Sequence, residues 1–254
     1  MLLGATIGLA ALAKLSGLAL LAPAGLSLLG VAWRRREWRA ALWGGACMLG
    51  AAALVAGWWY YRNWRLYHDP LGLNVFLAIA GVRVSRPPLG DLLGEWSGFV
   101  KSYWGVFGGM NVVPPEWFYA LLNGIALLGL AGLALEVARR LVRRQWPDLD
   151  RLFCMGLVAL WPLVVAVSLV RWTMMTMASQ GRLIFPAIAA LSYLLVFGLG
   201  SWVPGRRALP AFVAAAAMAG LAIWVPFGVI APAYARPPLL TATEQAAIPE
   251  RLDL

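Results

Sequence analysis

Long apolar runs separated by short arginine-rich turns are the feature that most constrains how this chain can fold. A helix needs about 20 apolar residues to cross the roughly 30 Å hydrocarbon core of a bilayer. Apolar runs of about that length or more cover residues 1–32, 40–59, 115–137, 152–170, 183–202 and 209–230. Only 13% of the residues are charged, against roughly a quarter in soluble domains. The sequence therefore predicts an all-α polytopic membrane helix bundle over residues 1–230, with about six spanning segments.

The first apolar run is too long for a single spanning helix. Residues 1–32 as one helix would measure about 48 Å, which exceeds the hydrocarbon core. Lys14, Ser16 and Gly17 interrupt this run, and a lysine inside a bilayer is costly unless it is paired or hydrated. We expect a break at 13–17, with the tail of one helix before it and a second helix after it.

The distribution of basic residues predicts the orientation in the membrane. Short loops rich in lysine and arginine lie on the cytoplasmic side. Three turns hold eleven of these residues: 33–39, 139–151 and 205–207. The loop 171–182 holds two. By this rule the three turns are cytoplasmic, whereas loop 171–182, the long loop 57–116 and an extended tail over 231–254 share the non-cytoplasmic face of the membrane.

Composition and cysteine placement exclude several classes of function. The net charge of +10 does not indicate nucleic-acid binding, because the basic residues cluster beside apolar runs as topology signals do. Cys47 and Cys154 each lie inside an apolar run, which argues against a disulfide framework and against a metal-ligand spacing. The sequence also has no glycine-rich phosphate loop. We predict no metal, no cofactor and no nucleic-acid partner.

The long loop 57–116 collects most of the polar residues capable of chemistry and interleaves them with aromatic rings. This mixture is typical of a membrane–water interface, where aromatic rings lie at headgroup level and arginine reaches phosphates. Asp69 and Pro70 form an N-cap and first-turn pair, which predicts a short helix ending at Gly81. Apolar residues recurring at threes and fours predict an amphipathic interfacial helix over 89–107.

Three arginines on the predicted non-cytoplasmic face are candidate phosphate ligands: Arg62, Arg65 and Arg182. A guanidinium group suits this task because its planar fork donates two parallel hydrogen bonds to one phosphate. The alternative for Arg62 and Arg65 is that their side chains extend to lipid headgroups. Arg182 can equally be a simple interfacial anchor.

Lys14 and His68 are further candidates, each with a structural alternative. Lys14 is a site candidate because it interrupts an apolar run, but its long side chain can also extend to the membrane surface. His68 precedes Asp69, and the pair can move a proton, although Asp69 already has a role as helix cap. Three acidic residues lie near predicted helix N-termini, where negative charge is stabilising without catalysis: Asp91, Glu95 and Glu116.

Four segments together resemble one known family: Leu12–Leu21, Trp58–Gly72, Ser102–Val112 and Gln180–Ala187. They are similar, in order and local sequence, to bacterial membrane glycosyltransferases of the GT-C superfamily. Those enzymes depend on a phospholipid carrier and are akin to dolichyl-phosphate-mannose-protein mannosyltransferases. The resemblance implies inverting transfer of a sugar from a polyprenyl-phosphate carrier to a hydroxyl or amine acceptor at the non-cytoplasmic face.

The resemblance also implies roles for individual residues. A basic cluster holds the carrier phosphate in the family, and we assign that role here to Arg62, Arg65 and Arg182, with Lys14 assisting. His68 belongs to the same predicted substrate-binding set. The resemblance also favours a role for Trp104, together with Trp96 and Tyr103, in lining the path by which the sugar or the membrane lipid reaches the site.

The opening of the chain departs from the family pattern. In the family the catalytic Asp lies in the first outer loop, whereas residues 9–25 look like a middle helix of such an enzyme. We therefore expect the C-terminal membrane part of a glycosyltransferase, a fragment without the catalytic Asp, and we assign no catalytic residue. Two other classes stay open: a transporter or lipid flippase, which would need ionisable residues near the bilayer midplane, and a non-catalytic membrane scaffold.

Overall fold

The computed structural model describes residues 1–85, 87–177 and 179–236. Over that part of the chain the secondary structure is helical apart from one isolated β-bridge, between Phe107 and Val112. The α-helices are α1 (Leu2–Ala13), α2 (Leu21–Arg35), α3 (Trp38–Tyr67), α4 (Leu73–Ala80), α5 (Leu89–Gly94), α6 (Trp96–Trp104), α7 (Glu116–Arg143), α8 (Leu149–Thr173), α9 (Ile188–Gly200), α10 (Ala208–Val225) and α11 (Ala231–Ala233).

Shorter helical turns extend three of these helices. A 3-10 turn, Leu15–Leu20, leads into α2, and another, Gly181–Ala187, leads into α9. A π-helical turn, Pro226–Ile230, joins α10 to α11. With these turns included, six helical stretches are long and apolar enough to cross a membrane: Leu15–Arg35, Trp38–Tyr67, Glu116–Arg143, Leu149–Thr173, Gly181–Gly200 and Ala208–Ala233. The predicted all-α polytopic bundle with six spanning segments is confirmed.

The break predicted in the first apolar run is present at Lys14. Helix α1 ends at Ala13, and Lys14 adopts an extended conformation with φ −156° and ψ 136° before the next turn begins at Leu15. The chain therefore reverses here, and Lys14 lies exposed in the hairpin between α1 and α2. A twelve-residue helix such as α1 measures about 18 Å.

Helix α1 packs parallel to α3 through glycines. A side chain on Gly4 would collide with the backbone of Met48, and a Cβ on Gly8 would lie 2.8 Å from Cβ of Val55. Tyr60 of α3 donates a hydrogen bond of 3.1 Å to the carbonyl oxygen of Ala11. Because the contacts advance in the same direction along both helices, the hairpin at Lys14 and the C-terminal part of α3 share one end of the bundle.

Helices α7 and α9 make a second parallel pair that also depends on glycine. A side chain on Gly132 would collide with the carbonyl oxygen of Gly198, and one on Gly198 would collide with the carbonyl oxygen of Gly129. Small residues let membrane helices approach to backbone contact, where dispersion forces are strongest. Farther along the pair, Arg139 donates a hydrogen bond of 2.7 Å to the carbonyl oxygen of Ser201.

The bundle has two chemically different ends, which we name by their contents. The turn end carries the arginine-rich turns 33–39, 139–151 and 201–207, and an ion pair between Arg34 and Asp150 joins α2 to α8 there. The loop end carries Lys14, the end of α3, the loop 68–115 and the end of α8. Phe76 of α4 packs on Trp172 of α8 with ring centroids 5.5 Å apart.

The largest apolar cluster among the described residues also lies at the loop end. Its buried members come from the loop, the start of α7 and the end of α10: Val112, Phe118, Tyr119, Leu122, Val225 and Val229. A Cβ on Gly108 of the loop would lie 2.6 Å from the hydroxyl oxygen of Tyr234. The end of the α10 stretch is therefore anchored beside loop 68–115. Helix α11 carries the chain to Ala233, and the predicted extended tail otherwise falls on residues 237–254, outside the described residues.

Two sequence-based helix boundaries are corrected. Helix α3 continues to Tyr67 rather than ending at Trp59, because the WWYYRNWRLY stretch keeps the aromatic and basic side chains that suit the headgroup layer. The predicted amphipathic helix over 89–107 is two helices that end at Gly94 and Trp104. Glycine terminates the second of these at Gly105, where φ is +156°.

Replacing Gly132 with alanine is expected to lower the free energy of unfolding by about 1–3 kcal/mol, because the new methyl group meets the backbone of Gly198. Gly124→Ala in the same helix is the matched control, since a Cβ at Gly124 has no neighbour within 4 Å. Thermal unfolding of both variants in detergent, followed by tryptophan fluorescence, measures the effect. Equal midpoints for the two variants would contradict the close packing of α7 on α9.

Candidate functional site

Arg83 joins loop 68–115 to the end of α8. Its Nε donates to the carbonyl oxygens of Thr173, at 2.7 Å, and Thr176, at 3.1 Å. Its Nη2 donates to both carboxylate oxygens of Glu95, at 2.6 and 2.9 Å. The side chain is only 11% exposed, and its backbone N–H donates to the carbonyl oxygen of Met175 at 2.9 Å. One arginine thus anchors two parts of the chain that are distant in sequence.

Glu95 is the carboxylate on which this anchor depends. It lies between α5 and α6, accepts the two hydrogen bonds from Arg83 and accepts a third from the Ser179 hydroxyl. The Ser179 hydroxyl, followed by Arg83, holds the pKa of Glu95 below its ordinary value. The sequence pattern predicts Glu95 only as a favourable charge near a helix N-terminus and gives no signal for Arg83, because the two residues are twelve positions apart and meet only in the folded chain.

Helix α6 packs closely on the start of the Gly181–Gly200 stretch. The backbone N–H of Gly181 donates a hydrogen bond of 2.8 Å to the Ser102 hydroxyl, which is buried. A side chain on Gly181 would collide with the carbonyl oxygen of Phe99. Glycine is required here because the two backbones touch, and the contact fixes where the next residue, Arg182, leaves the helix surface.

Trp104 is held in place by its neighbours at the loop end. Its Nε1 donates a hydrogen bond of 2.7 Å to Oδ1 of Asn123 in α7. Its ring meets that of Tyr103 edge to face at 4.7 Å between centroids, and Tyr103 meets Phe185 in the same way at 5.7 Å. Burial raises the pKa of the Tyr103 hydroxyl. Trp104 is half-buried and packs against the apolar cluster of α7 and α10, so the ring has a structural role beside any contact with a ligand.

Arg62 and Arg65 lie on the last turns of α3, and both are exposed. The guanidinium carbon of Arg62 lies 5.2 Å from the centroid of the Trp59 ring, which is a cation–π contact. Between them Asn63 is buried and donates at 3.5 Å to the carbonyl oxygen of Pro70, so it ties the helix end to the loop. Helix α3 has 30 residues, or about 45 Å, so its end projects beyond the hydrocarbon core.

Arg182 is exposed at the start of the Gly181–Gly200 stretch. Its Nε donates a hydrogen bond of 2.7 Å to Oε1 of Gln180. Within the described residues its terminal guanidinium nitrogens make no hydrogen bond. The structure places Arg182 at the loop end, as it does Arg62 and Arg65.

The structure does not bring these three arginines into contact with one another. No hydrogen bond or ion pair among the described residues joins Arg62, Arg65 and Arg182, or links any of them to Lys14. Helix α3 packs chiefly on α1 and α2, whereas Arg182 lies in the Gly181–Ala187 turn, which packs on α6 and α8. All four residues lie at the loop end of the bundle. That they bind one ligand together stays a prediction.

His68 and Asp69 follow the end of α3. His68 is exposed and adopts a left-handed conformation at φ +52° as the helix ends. The Asp69 carboxylate accepts from the backbone N–H groups of Leu71, at 3.0 Å, and Asn74, at 2.8 Å. The bond from Asn74 is the main reason that the pKa of Asp69 is lowered. The N-cap of α4 is Gly72 and the helix begins at Leu73, so the prediction of Asp69 as N-cap and Pro70 as the first helical residue is wrong. The Asp69 carboxylate still accepts a hydrogen bond from the first turn of this helix, at Asn74.

The fold defines a class of protein: a polytopic helical membrane protein whose loops assemble at one end of the bundle. Comparison with protein-family models, with curated proteins and with solved structures finds no match. Over residues 1–85, 87–177 and 179–236, no group of three or more His, Cys, Asp and Glu side chains is arranged to hold a metal ion.

Glu95→Gln is expected to lower the free energy of unfolding by about 1–2 kcal/mol at neutral pH, because the glutamine leaves Arg83 without a carboxylate. A lowered pKa means that the ionised carboxylate stabilises the fold above the ordinary glutamate pKa, about 4.3, and that this contribution is lost as the pH falls through the lowered value. The gap in unfolding midpoint between wild type and variant should therefore narrow in acid.

Asp91→Asn is the control for that titration, since Asp91 is an exposed carboxylate of the neighbouring helix α5. Its midpoint at neutral pH should fall less than that of Glu95→Gln, because Asp91 makes no ion pair with a described residue. A gap for Glu95→Gln that stays constant from neutral to acid pH would show that the ionised carboxylate is not what stabilises the loop.

Proposed function

We propose that the loop end binds the phosphate of a polyprenyl-phosphate-linked sugar during glycosyl transfer at the non-cytoplasmic face of a bacterial-type cell membrane. The observation that carries this proposal is the joint of Arg83, Glu95 and Ser179, which holds loop 68–115 against the segment that leads to Arg182. That joint fixes the loop beside Arg182, which lies at the same end of the bundle as Arg62 and Arg65. The resemblance of four segments to GT-C glycosyltransferases supplies the class of substrate.

The chemistry that this end would serve is displacement at the anomeric carbon. The acceptor oxygen or nitrogen forms a bond to that carbon while the bond from the carbon to the carrier phosphate oxygen breaks. The acceptor's proton passes to a base, and polyprenyl phosphate leaves with the extra negative charge. Guanidinium groups stabilise that charge as it develops, because they are held in place before the reaction. Arg62, already oriented over Trp59, fits this role.

The position of these arginines also suits a lipid-borne substrate. A polyprenyl chain lies in the hydrocarbon core while its phosphate lies at headgroup level, where arginine side chains at helix ends reach it. Exposed aromatic rings surround the end of α3, including Trp58 and Trp64, and such rings are typical of the interface. Lys14 lies in the adjacent hairpin and adds positive charge to the same region.

A transporter or flippase is the second candidate, and the 3-10 turns that lead into α2 and α9 favour it, because such proteins use discontinuous membrane helices. The turns Leu15–Leu20 and Gly181–Ala187 both lie at the loop end rather than halfway along a spanning segment. Transporter sites usually lie near the bilayer midplane. The positions of the helix breaks therefore support surface binding of a carrier more strongly than transport.

Substitution of the arginines tests the proposal through carrier binding. The purified chain in nanodiscs is incubated with radiolabelled polyprenyl-phosphate sugar, and retained label is compared for wild type, Arg62→Ala and Arg182→Ala. We expect each variant to bind about tenfold more weakly, since each loses a charge-assisted hydrogen bond to phosphate.

Arg35→Ala is the matched control, because Arg35 is an exposed arginine at the turn end. Its binding should equal that of the wild type. Unchanged carrier binding in both Arg62→Ala and Arg182→Ala would overturn the assignment. An equal loss in all three variants would overturn it as well, because the carrier would then respond to the positive charge of the whole surface and not to a site at the loop end.

A further inference from the structure

The turn end contains a polar pocket that the proposed carrier site does not use. It has a volume of about 370 Å³ and is built from the end of α7, the residues after it and the turn between α9 and α10. Its lining consists of Glu136, Arg139, Arg140, Arg143, Gln145, Pro204 and Arg207. Two parts of the chain that are distant in sequence therefore form one pocket with four arginines and one acidic residue.

Glu136 organises the floor of this pocket. Its side chain is only 8% exposed, which is costly for a carboxylate unless it is paired. Arg140, one turn further along α7, donates from Nε at 2.9 Å and from Nη2 at 2.7 Å to the same oxygen, Oε1. Arg207 brings its Nη2 to 4.0 Å from that oxygen. The buried carboxylate thus draws two guanidinium groups from different segments toward one point.

The remaining arginines leave the pocket with an excess of positive charge. Arg139 donates one hydrogen bond, from Nη1 to the carbonyl oxygen of Ser201 at 2.7 Å. Arg143 makes no side-chain hydrogen bond to any described residue, and the Arg207 side chain is 55% exposed. Four arginines and one glutamate thus line the same open pocket. Such a pocket attracts an anion with several acceptor oxygens.

The packing of α7 on α9 fixes the geometry of the pocket. Gly132, which contacts Gly198, precedes Glu136 by one turn of α7. This contact fixes the distance between the end of α7, which lines the pocket, and the end of α9, which leads into the turn that also lines it. Gly200 also approaches the turn, since a Cβ there would lie 2.9 Å from the carbonyl oxygen of Arg207. The arginines are therefore presented by a rigid frame rather than by a flexible tail.

We propose that this pocket binds a phosphate group, and its position favours the headgroup of an anionic phospholipid as the source. The spanning stretches of α7 and α9 both end at this pocket, which puts it at the level of lipid headgroups. Basic pockets between membrane helices are suited to such headgroups. The Gln145 side chain, also in the lining, supplies a further N–H donor. This site is independent of the proposed carrier site.

A neighbouring pocket is lined by Trp33, Arg34, Arg36 and Trp38. All four residues come from one short turn, and Arg34 is already paired with Asp150. The pocket lined by Glu136 and four arginines is the better candidate for binding an anion, because separate helices build it and because a buried carboxylate orients its arginines.

The test compares lipid retention by the whole chain in native mass spectrometry. Detergent-purified protein is incubated with phosphatidylglycerol or with phosphatidylcholine of the same acyl chains. A second arm measures the thermal shift that inorganic phosphate produces in the absence of lipid. The pocket variant is Arg143→Gln with Arg207→Gln. The control is Arg144→Gln with Arg206→Gln, which removes the same charge from the adjacent positions outside the lining.

We expect the wild type and the control to retain phosphatidylglycerol in preference to phosphatidylcholine, and the pocket variant to lose about tenfold in that preference. A phosphate-induced thermal shift that only the pocket variant lacks, without lipid preference, would identify free phosphate as the source. Equal losses in both variants, or no loss in either, would overturn the site. If the double variant fails to elute as a single species, Arg143→Gln alone answers the same question.

Discussion

The backbone contact between α7 and α9 is the interaction on which the rest of the bundle depends. Membrane helices gain little from hydrophobic burial against each other, because lipid is as apolar as their side chains. Close approach at Gly129, Gly132 and Gly198 replaces that driving force with dispersion between backbones. The same device joins α1 to α3 at Gly4 and Gly8. Each contact fixes two helices in a parallel arrangement. The loops that follow the two helices of a pair therefore lie at the same end of the bundle.

The ion pairs between segments of the bundle lie near the ends of the helices. At the loop end one such ion pair joins Arg83 to Glu95, and Arg83 also donates to the carbonyl oxygens of Thr173 and Thr176. At the turn end Glu136 draws Arg140 and Arg207 together. The apolar middle of the bundle fixes the helices relative to one another, and the loop end and the turn end carry different polar side chains. The same bundle therefore presents exposed arginines at the loop end and a pocket lined by four arginines at the turn end.

The parts of this structure that depend on local sequence were predictable, and those that depend on tertiary partners were not. Run length predicted six spans, and the excess length of the first run predicted the break at Lys14. Arg83 and Glu136 escaped notice because their partners lie far along the chain or face a pocket that only packing creates. A single helix over 89–107 was predicted because the apolar periodicity continues on both sides of Glu95. The structure instead has two helices that meet at Glu95, where the side chain pairs with Arg83. The three candidate arginines were located at one end, but their ligand remains a matter for binding experiments.

The bonds of Arg83 have a consequence for how the loop end can open. Its segment cannot lift from α8 without parting both carboxylate bonds and the bonds to the carbonyl oxygens of Thr173 and Thr176. The segment is bounded by Gly81 and Gly105, whose φ angles of +81° and +156° belong to glycine. The loop between these glycines is therefore held at two separate places, by the bonds of Arg83 to the end of α8 and by the contact of Ser102 with the backbone of Gly181.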